Sequence, residues 1–148
     1  MVNHSKKWDR RFLKLAEHVS AWSKDPSSKC GAVVTSGKNH LVSVGFNGFP
    51  PGIWDKDEWL NDRATKLKIV RHAEANALFY AGMSQLHGHT IYVYPMPPCA
   101  QCASAIIQAG IARIVSYQPD PSRAERWGDD WDLAAEMYRQ ADIQLELW

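Results

Sequence analysis

Two short stretches limit what this chain can fold into: Arg71-His72-Ala73-Glu74-Ala75-Asn76-Ala77, and Pro97-Pro98-Cys99-Ala100-Gln101-Cys102. The first offers an imidazole followed closely by a carboxylate; the second offers two thiols spaced C-x-x-C. The residues around each favour a helix starting there, so a fold that uses both must bring two helix N-termini to one point. Zinc takes four ligands tetrahedrally from His nitrogen, Cys sulfur and carboxylate oxygen, and a catalytic site keeps one position open for water. His72, Cys99 and Cys102 supply three. Pro98 suits the approach to a first helical turn, where unpaired N–H groups and the dipole favour thiolate over thiol. Glu74, from the same turn as His72, then sits beside the water and moves protons instead of binding metal. A closed structural site, with Cys30 or another His as fourth ligand, is the alternative reading of the same residues.

The chain around these stretches reads as one domain, residues 1–148. With 148 residues, 45% of them hydrophobic and 22% charged, it is long enough for one proper core and too short for a second. Apolar residues at Trp8, Phe12, Leu15, Ala16, Val19 and Trp22 fall three and four apart and predict a packing helix. Asp25-Pro26-Ser27-Ser28 breaks it. Cys30 to Thr35 and Leu41 to Phe46 follow as antiparallel strands across a turn at Gly37-Lys38-Asn39, delivering Asn47-Gly48-Phe49-Pro50-Pro51-Gly52 as a rigid loop. Residues 53–70 show no sustained period and read as a long, partly helical loop, with substrate closure or subunit contact as its use. His72 to Ala81 is a helix stopped at Gly82. Thr90 to Tyr94 is a strand, Cys99 to Ala109 a helix stopped at Gly110, and Arg113 to Tyr117 a strand. Gln118 to Trp127 reads as a Pro-rich connection, followed by a helix from about Asp129 to Ala141 and a strand at Ile143 to Leu147. Helices alternating with strands after residue 70 imply parallel crossovers. The expected fold is therefore α/β, a three-layer α/β/α sandwich on a mixed five-stranded sheet.

Several function classes are disfavoured by composition. No apolar run approaches the ~20 residues of a membrane span, and Met1 to Arg11 has charges but no apolar leader core, so a cytoplasmic protein without a membrane role is expected. Three cysteines, two of them assigned to metal, leave Cys30 as a small buried hydrophobe and no disulfide framework. A net charge of +1 argues against nucleic acid as the main partner. The cluster Lys6, Lys7, Arg10 and Arg11 reads as a solvated helix face.

The order H-x-E then P-C-x-x-C matches the signature of zinc deaminases acting on nucleobases. More specifically, the chain resembles the deoxycytidylate (dCMP) deaminases of the cytidine deaminase-like superfamily, over roughly residues 8 to 145. The likeness is carried by Asp25-Pro26-Ser27-Ser28-Lys29 with Gly31-Ala32-Val33-Val34, by Gly45-Phe46-Asn47-Gly48-Phe49-Pro50, and by Leu60-Asn61-Asp62-Arg63. The two metal stretches and Ile106-Ile107-Gln108-Ala109-Gly110-Ile111 continue it. The resemblance implies a zinc-dependent hydrolysis of dCMP to dUMP and ammonia, with a small mononucleotide as partner and a homo-oligomer, dimer or hexamer, as the assembly. It further implies that Glu74 carries protons, that the backbone around Ala73 and Pro98 holds the pyrimidine edge, and that Asn47 hydrogen-bonds the deoxyribose. Ser28 and Lys29, with Arg113 behind them, are its phosphate candidates, against the plainer reading of a turn hydroxyl and solvated charges. Tyr117 stands either beside the base or sugar or in the core. The chain departs from the family at Pro51, Cys30 and Tyr94, and Trp127 to Trp131 has no counterpart. A deaminase of dCTP, a free nucleoside, a nucleobase such as guanine, or tRNA adenosine therefore stays open, as does a zinc-stabilised module without catalysis.

Overall fold

Periodicity of three and four residues shapes the first described element, α1 (Lys6–Ser20), whose stripe Phe12, Leu13, Ala16 and Val19 is buried. The structure is a computed structural model describing residues 6–148; residues 1–5 of the charged N-terminal stretch, expected to carry no leader, lie outside the described residues. After α1 come β1 (Gly31–Thr35), β2 (Leu41–Phe46), α2 (Asp57–Leu60), α3 (Arg63–Ile69) and α4 (Ala73–Ala81). Then follow β3 (Thr90–Tyr94), α5 (Ala100–Gln108), β4 (Arg113–Ser116), α6 (Pro121–Gln140) and β5 (Gln144–Leu147).

The strands form one sheet in the order β2-β1-β3-β4-β5. β1 runs antiparallel to β2 and β3, whereas β3, β4 and β5 are parallel, giving the expected mixed five-stranded sheet. Alternation along the strands sends side chains to two faces. Val33, Tyr92 and Val115 pack with Phe12, Leu13 and Ala16 of α1. Ala32, Val34, Ile91, Val93 and Ile114 pack on the other face against Ala77 and Leu78 of α4, Ala103 and Ile106 of α5, and Ala134 and Tyr138 of α6. The result is the three-layer α/β/α arrangement.

Glycine sets the spacing of the helix that matters most here. A Cβ on Gly45 of β2 would lie 2.4 Å from the Ala73 carbonyl oxygen and 2.5 Å from the Ala77 nitrogen. Its absence lets the first turns of α4 lie directly on the sheet.

The segment 53–70 is partly helical as expected, its helical parts being two separate helices, α2 and α3, the second of which buries Lys66. One expectation is corrected. The connection expected over Gln118 to Trp127 is largely helix: α6 begins at Pro121, with the Asp120 carboxylate accepting from the Arg123 N–H. A proline at the first helical position loses no hydrogen bond, and Asp ahead of it is a strong N-cap, so Asp120-Pro121 starts a helix where the proline content had implied a break.

Candidate active site

The start of β1, the end of β2 and the starts of α4 and α5 converge at one edge of the sheet. β2 runs into Asn47-Gly48, and Gly48 pairs with Arg71 in an isolated antiparallel bridge, each N–H donating to the other's carbonyl at 3.1 and 2.8 Å. Asn76 adds a third tie, its Nδ2 donating to the Phe46 carbonyl at 2.8 Å. These bonds fix the residue before His72 and the first turn of α4 to the loop after β2.

His72 is the N-cap residue of α4 and Cys99 that of α5, where the Cys99 sulfur accepts from the Cys102 N–H at 3.4 Å. The His72 Nδ1 lies 3.6 Å from Cys99 Sγ and 3.3 Å from Cys102 Sγ. All three donor atoms fall within 4.8 Å of one another, as a shared metal ion requires. The protonation of the set points the same way. A hydrogen bond from Cys102, with help from His72 and the Cys102 N–H, holds the Cys99 thiol down at about 4, whereas Cys102, as the donor of that pair and a buried group, is pushed up. One thiolate forms readily and the second is opposed by the first, a conflict that a divalent cation between them removes. Soft sulfur pairs with one imidazole and a single further position, so the donor set fits zinc with an exchangeable site.

Glu74, one residue into α4, is 6% exposed and lines the same pocket as His72 and Cys99. Burial raises its carboxyl above the ordinary range, opposed by a backbone hydrogen bond and the His72 charge. Cys30 also lines the pocket and makes no disulfide; burial foremost, with the Glu74 charge added, pushes its thiol up to about 12 against a lowering pull from Arg123. It is half-buried, not the fully buried residue expected, and stands apart from the His72, Cys99 and Cys102 cluster.

The other sequence candidates distribute unevenly. Asn47 lines the pocket, but its amide already spans the loop before β1: Oδ1 accepts from the Cys30 N–H and Nδ2 donates to the Ser28 carbonyl, both at 2.8 Å. Ser28 and Ala73 are in the lining; Pro97 is there in place of its buried neighbour Pro98. Lys29 turns its ammonium back onto the Ser23 carbonyl and does not line the pocket. Tyr117 packs edge-on against Tyr94 in the layer beneath α1, at 5.8 Å between ring centroids, and is absent from the lining. Arg113 is buried under α1, where Nη1 and Nη2 donate to both oxygens of Asp9 at 2.8 and 2.6 Å. It does not stand behind Ser28 and Lys29 as expected, because Asp9 and Glu146 neutralise it on the opposite face.

Two elements contribute what the sequence reading missed. Lys66 of α3 bonds Asp25 Oδ1 and Ser27 Oγ, each at 3.1 Å, while that Asp25 oxygen also accepts from the Ser27 and Ser28 N–H groups. From α6, Arg123, Arg126, Trp127 and Trp131 enter the lining. The helix is fastened to the thiol loop by Asp130, which accepts from the Ala100 N–H at 2.7 Å, and by Trp131 Nε1, which donates to the Pro97 carbonyl at 3.0 Å. The sequence signal was there in the spacing of 123, 127 and 131, one face of a helix once Asp120-Pro121 is taken as its start.

Comparison with known proteins agrees with this geometry. The family profile of the cytidine and deoxycytidylate deaminase zinc-binding region matches residues 6–118. An uncharacterized deaminase in the luxG 3′ region of Aliivibrio fischeri is 40% identical over 139 residues, covering 94% of this chain and 92% of that one. Human deoxycytidylate deaminase is 36% identical over 113 residues, 73% of this chain, and the match spans 63% of the human protein, less than two thirds of its length. Among solved structures, the dCMP deaminase of cyanophage S-TIM5, in complex with dCMP and dUMP, superposes with a TM-score of 0.77 at 22% identity, covering 99% of this chain and 100% of that one. That likeness shows a shared fold.

Proposed function

The chain belongs to the cytidine and deoxycytidylate deaminase family, and from that membership we propose that it hydrolyses dCMP to dUMP and ammonia. The observation that carries the reading is the buried carboxyl of Glu74 in one pocket with His72 and Cys99, two of the three clustered donors that Cys102 completes. A closed structural metal site would have no use for it.

His72, Cys99 and Cys102 would hold zinc, which would supply the Lewis-acid chemistry that makes water a nucleophile at neutral pH. Glu74 takes the proton of the attacking water and delivers it to N3 of the cytosine ring as the new C–O bond forms at C4. It then takes the remaining proton from the new C4 hydroxyl and passes it to the amine; as the C4=O bond forms the C4–N bond breaks and ammonia leaves, so one carboxyl serves as base and acid in turn. The Ala73 backbone and the Pro97-Pro98 turn hold the pyrimidine edge. Asn47 has one amide hydrogen to offer the deoxyribose beyond the one given to Ser28, and Ser28 stands beside it in the wall. Lys29 and Tyr117 act on this reading through the loop and the sheet, not on the substrate.

The same reading takes residues 1–148 as one zinc-dependent deaminase domain working in the cytoplasm as a homo-oligomer. Among the described residues no helix is long and apolar enough to cross a membrane. Exposed Leu41 and Val42 on edge strand β2, with Phe79 and Tyr80 on α4, are the apolar surface that self-association would cover.

The test is ammonia release by zinc-loaded protein from dCMP, dCTP, deoxycytidine and guanine. dCMP is expected to give the highest kcat/KM, and Glu74→Gln to lower kcat by about 100-fold or more. Preference for another substrate would overturn the assignment of dCMP. A Glu74→Gln variant with undiminished turnover would remove Glu74 from the chemistry.

A further inference from the structure

The inward face of α6 changes character along its length. Ala134 and Tyr138, at 1% and 3% exposure, are the apolar core portion. One and two turns earlier the same face passes over the pocket, with Trp131 and Trp127, and there it becomes cationic through Arg123 and Arg126. α3 adds Arg63 and Lys66 to the same lining.

Charge balance separates these cations from ordinary surface arginines. Lys66 is neutralised by Asp25, the two side chains being 8% and 7% exposed. Zn2+ with two thiolates carries no net charge, which leaves Glu74 as the remaining acid of the lining. Arg123 shares one exposed carboxylate, Asp120, at 3.1 Å, and Asp120 lies outside the pocket. Among the described residues, the side chains of Arg63 and Arg126 make no hydrogen bond or ion pair. Elsewhere on α6, by contrast, Arg139 is paired with Glu136 at 2.7 Å. A chain of net charge +1 thus gathers three guanidinium groups around one concavity and leaves two of them without partners. Such a local surplus focuses an anion into the cleft, and the planar fork of guanidinium matches the oxygens of phosphate. The Arg123 charge reaches inward, since it acts on the Cys30 thiol in the pocket wall. The loop first considered for this role is already occupied: Lys29 is spent on the Ser23 carbonyl and the Ser28 N–H on Asp25.

We propose that Arg63, Arg123 and Arg126 form an anion clamp that receives the 5′-phosphate of the substrate and selects a mononucleotide over the bare nucleoside. The clamp rests on the reading of this pocket as the dCMP site, and it assigns specificity to α3 and α6 while the chemistry stays with α4 and α5. Trp127, between the two α6 arginines and Trp131, closes the wall beside the sugar.

The experiment compares kcat/KM for dCMP and deoxycytidine in the zinc-loaded wild type, Arg63→Ala, Arg126→Ala and the double variant. Both side chains are exposed, so the fold is expected to survive, and thermal melts check it. Each single substitution is expected to lower kcat/KM for dCMP about 10-fold or more, chiefly through KM, and the double about 100-fold, as loss of charge-assisted hydrogen bonds implies. Deoxycytidine turnover should stay within about twofold, and Arg126→Lys should restore part of the loss. Equal losses on both substrates, or an unchanged preference, would overturn the clamp. Calorimetric titration with inorganic phosphate separates it from the dCMP assignment. If the wild type turns over neither compound, the dCMP reading fails. The clamp then stands on phosphate binding that the double variant weakens at least about tenfold, and falls if the wild type binds no phosphate or the variant binds it equally.

Discussion

Asn47 shows how one side chain serves both fold and site. At 7% exposure it satisfies the Cys30 N–H and the Ser28 carbonyl, and its own carbonyl accepts from Ser23 Oγ at 2.8 Å. Asn47→Ala leaves two backbone groups without their partner, and urea unfolding is expected to show a loss of roughly 2–3 kcal/mol. Asn47→Asp, which keeps the acceptor, should lose less. An alanine variant as stable as the wild type would mean that the loop before β1 is held by Lys66 and Asp25 alone. At this scale the sequence was most legible where chemistry fixes spacing. His72, Cys99 and Cys102 meet because metal donors must lie within a few ångströms. It was least legible for Lys29, Arg113 and Tyr117, whose residue types suit a nucleotide site but whose directions depend on partners far along the chain. No local pattern announces that Asp9 will claim Arg113.

α6 is the element whose role most exceeds its sequence signal. Its proline-containing start resembled a connection, and its inward face alternates between arginine and tryptophan, not the aliphatic residues that mark a packing helix. Once its start is set at Pro121, Asp130 and Trp131 fall where they grip the loop carrying Cys99. Asp130 thereby positions the thiol pair, accepting a donor that the start of α5 would otherwise leave unpaired. Asp130→Ala is expected to weaken zinc binding about 10-fold in competition with a chromogenic chelator. Asp130→Asn, which keeps an acceptor, should recover most of it. Unchanged zinc affinity in the alanine variant would limit the contact to packing. The strands, by comparison, were readable almost to the residue, because a strand such as β1 is buried on both faces and appears as a short apolar run, Gly31-Ala32-Val33-Val34, bounded by turns.

Across the whole molecule, a charged network on the face opposite the pocket ties the first helix to the last strand. Arg113 joins Asp9 of α1 to Glu146 of β5, Lys6 adds a second bond to Glu146, and the Tyr92 hydroxyl donates to Asp9 at 2.8 Å. Burial alone would raise the Glu146 carboxyl, but the hydrogen bonds and charges of Lys6 and Arg113 outweigh it and hold it below its ordinary value. A carboxyl depressed in the folded state stabilises the fold above its unfolded pKa, and that contribution is lost as pH falls through the depressed value. Stability should therefore hold level at neutral pH and decline below about 4.5, the ordinary glutamate value. Glu146→Gln should remove roughly 1 kcal/mol at pH 7 and flatten the acid decline, as read from urea midpoints across pH. A parallel decline in both proteins would place the acid sensitivity elsewhere. None of this network was visible in sequence, since its members, Lys6, Asp9, Tyr92, Arg113 and Glu146, are scattered along the chain and meet only when α1 packs on the assembled sheet.

The family match ends at residue 118 and α6 begins at Pro121. The segment matched by the family profile thus carries His72, Glu74, Cys99 and Cys102, while the helix beyond it, still within the 94% of the chain matched by the Aliivibrio fischeri deaminase, supplies much of the pocket wall. A lineage could exchange the last thirty or so residues, or let them drift, and acquire a new clientele without touching the hydrolytic machinery, so long as the replacement still grips the thiol loop. In such a protein, kinship across the shared region foretells the reaction better than it foretells the molecule on which it is performed.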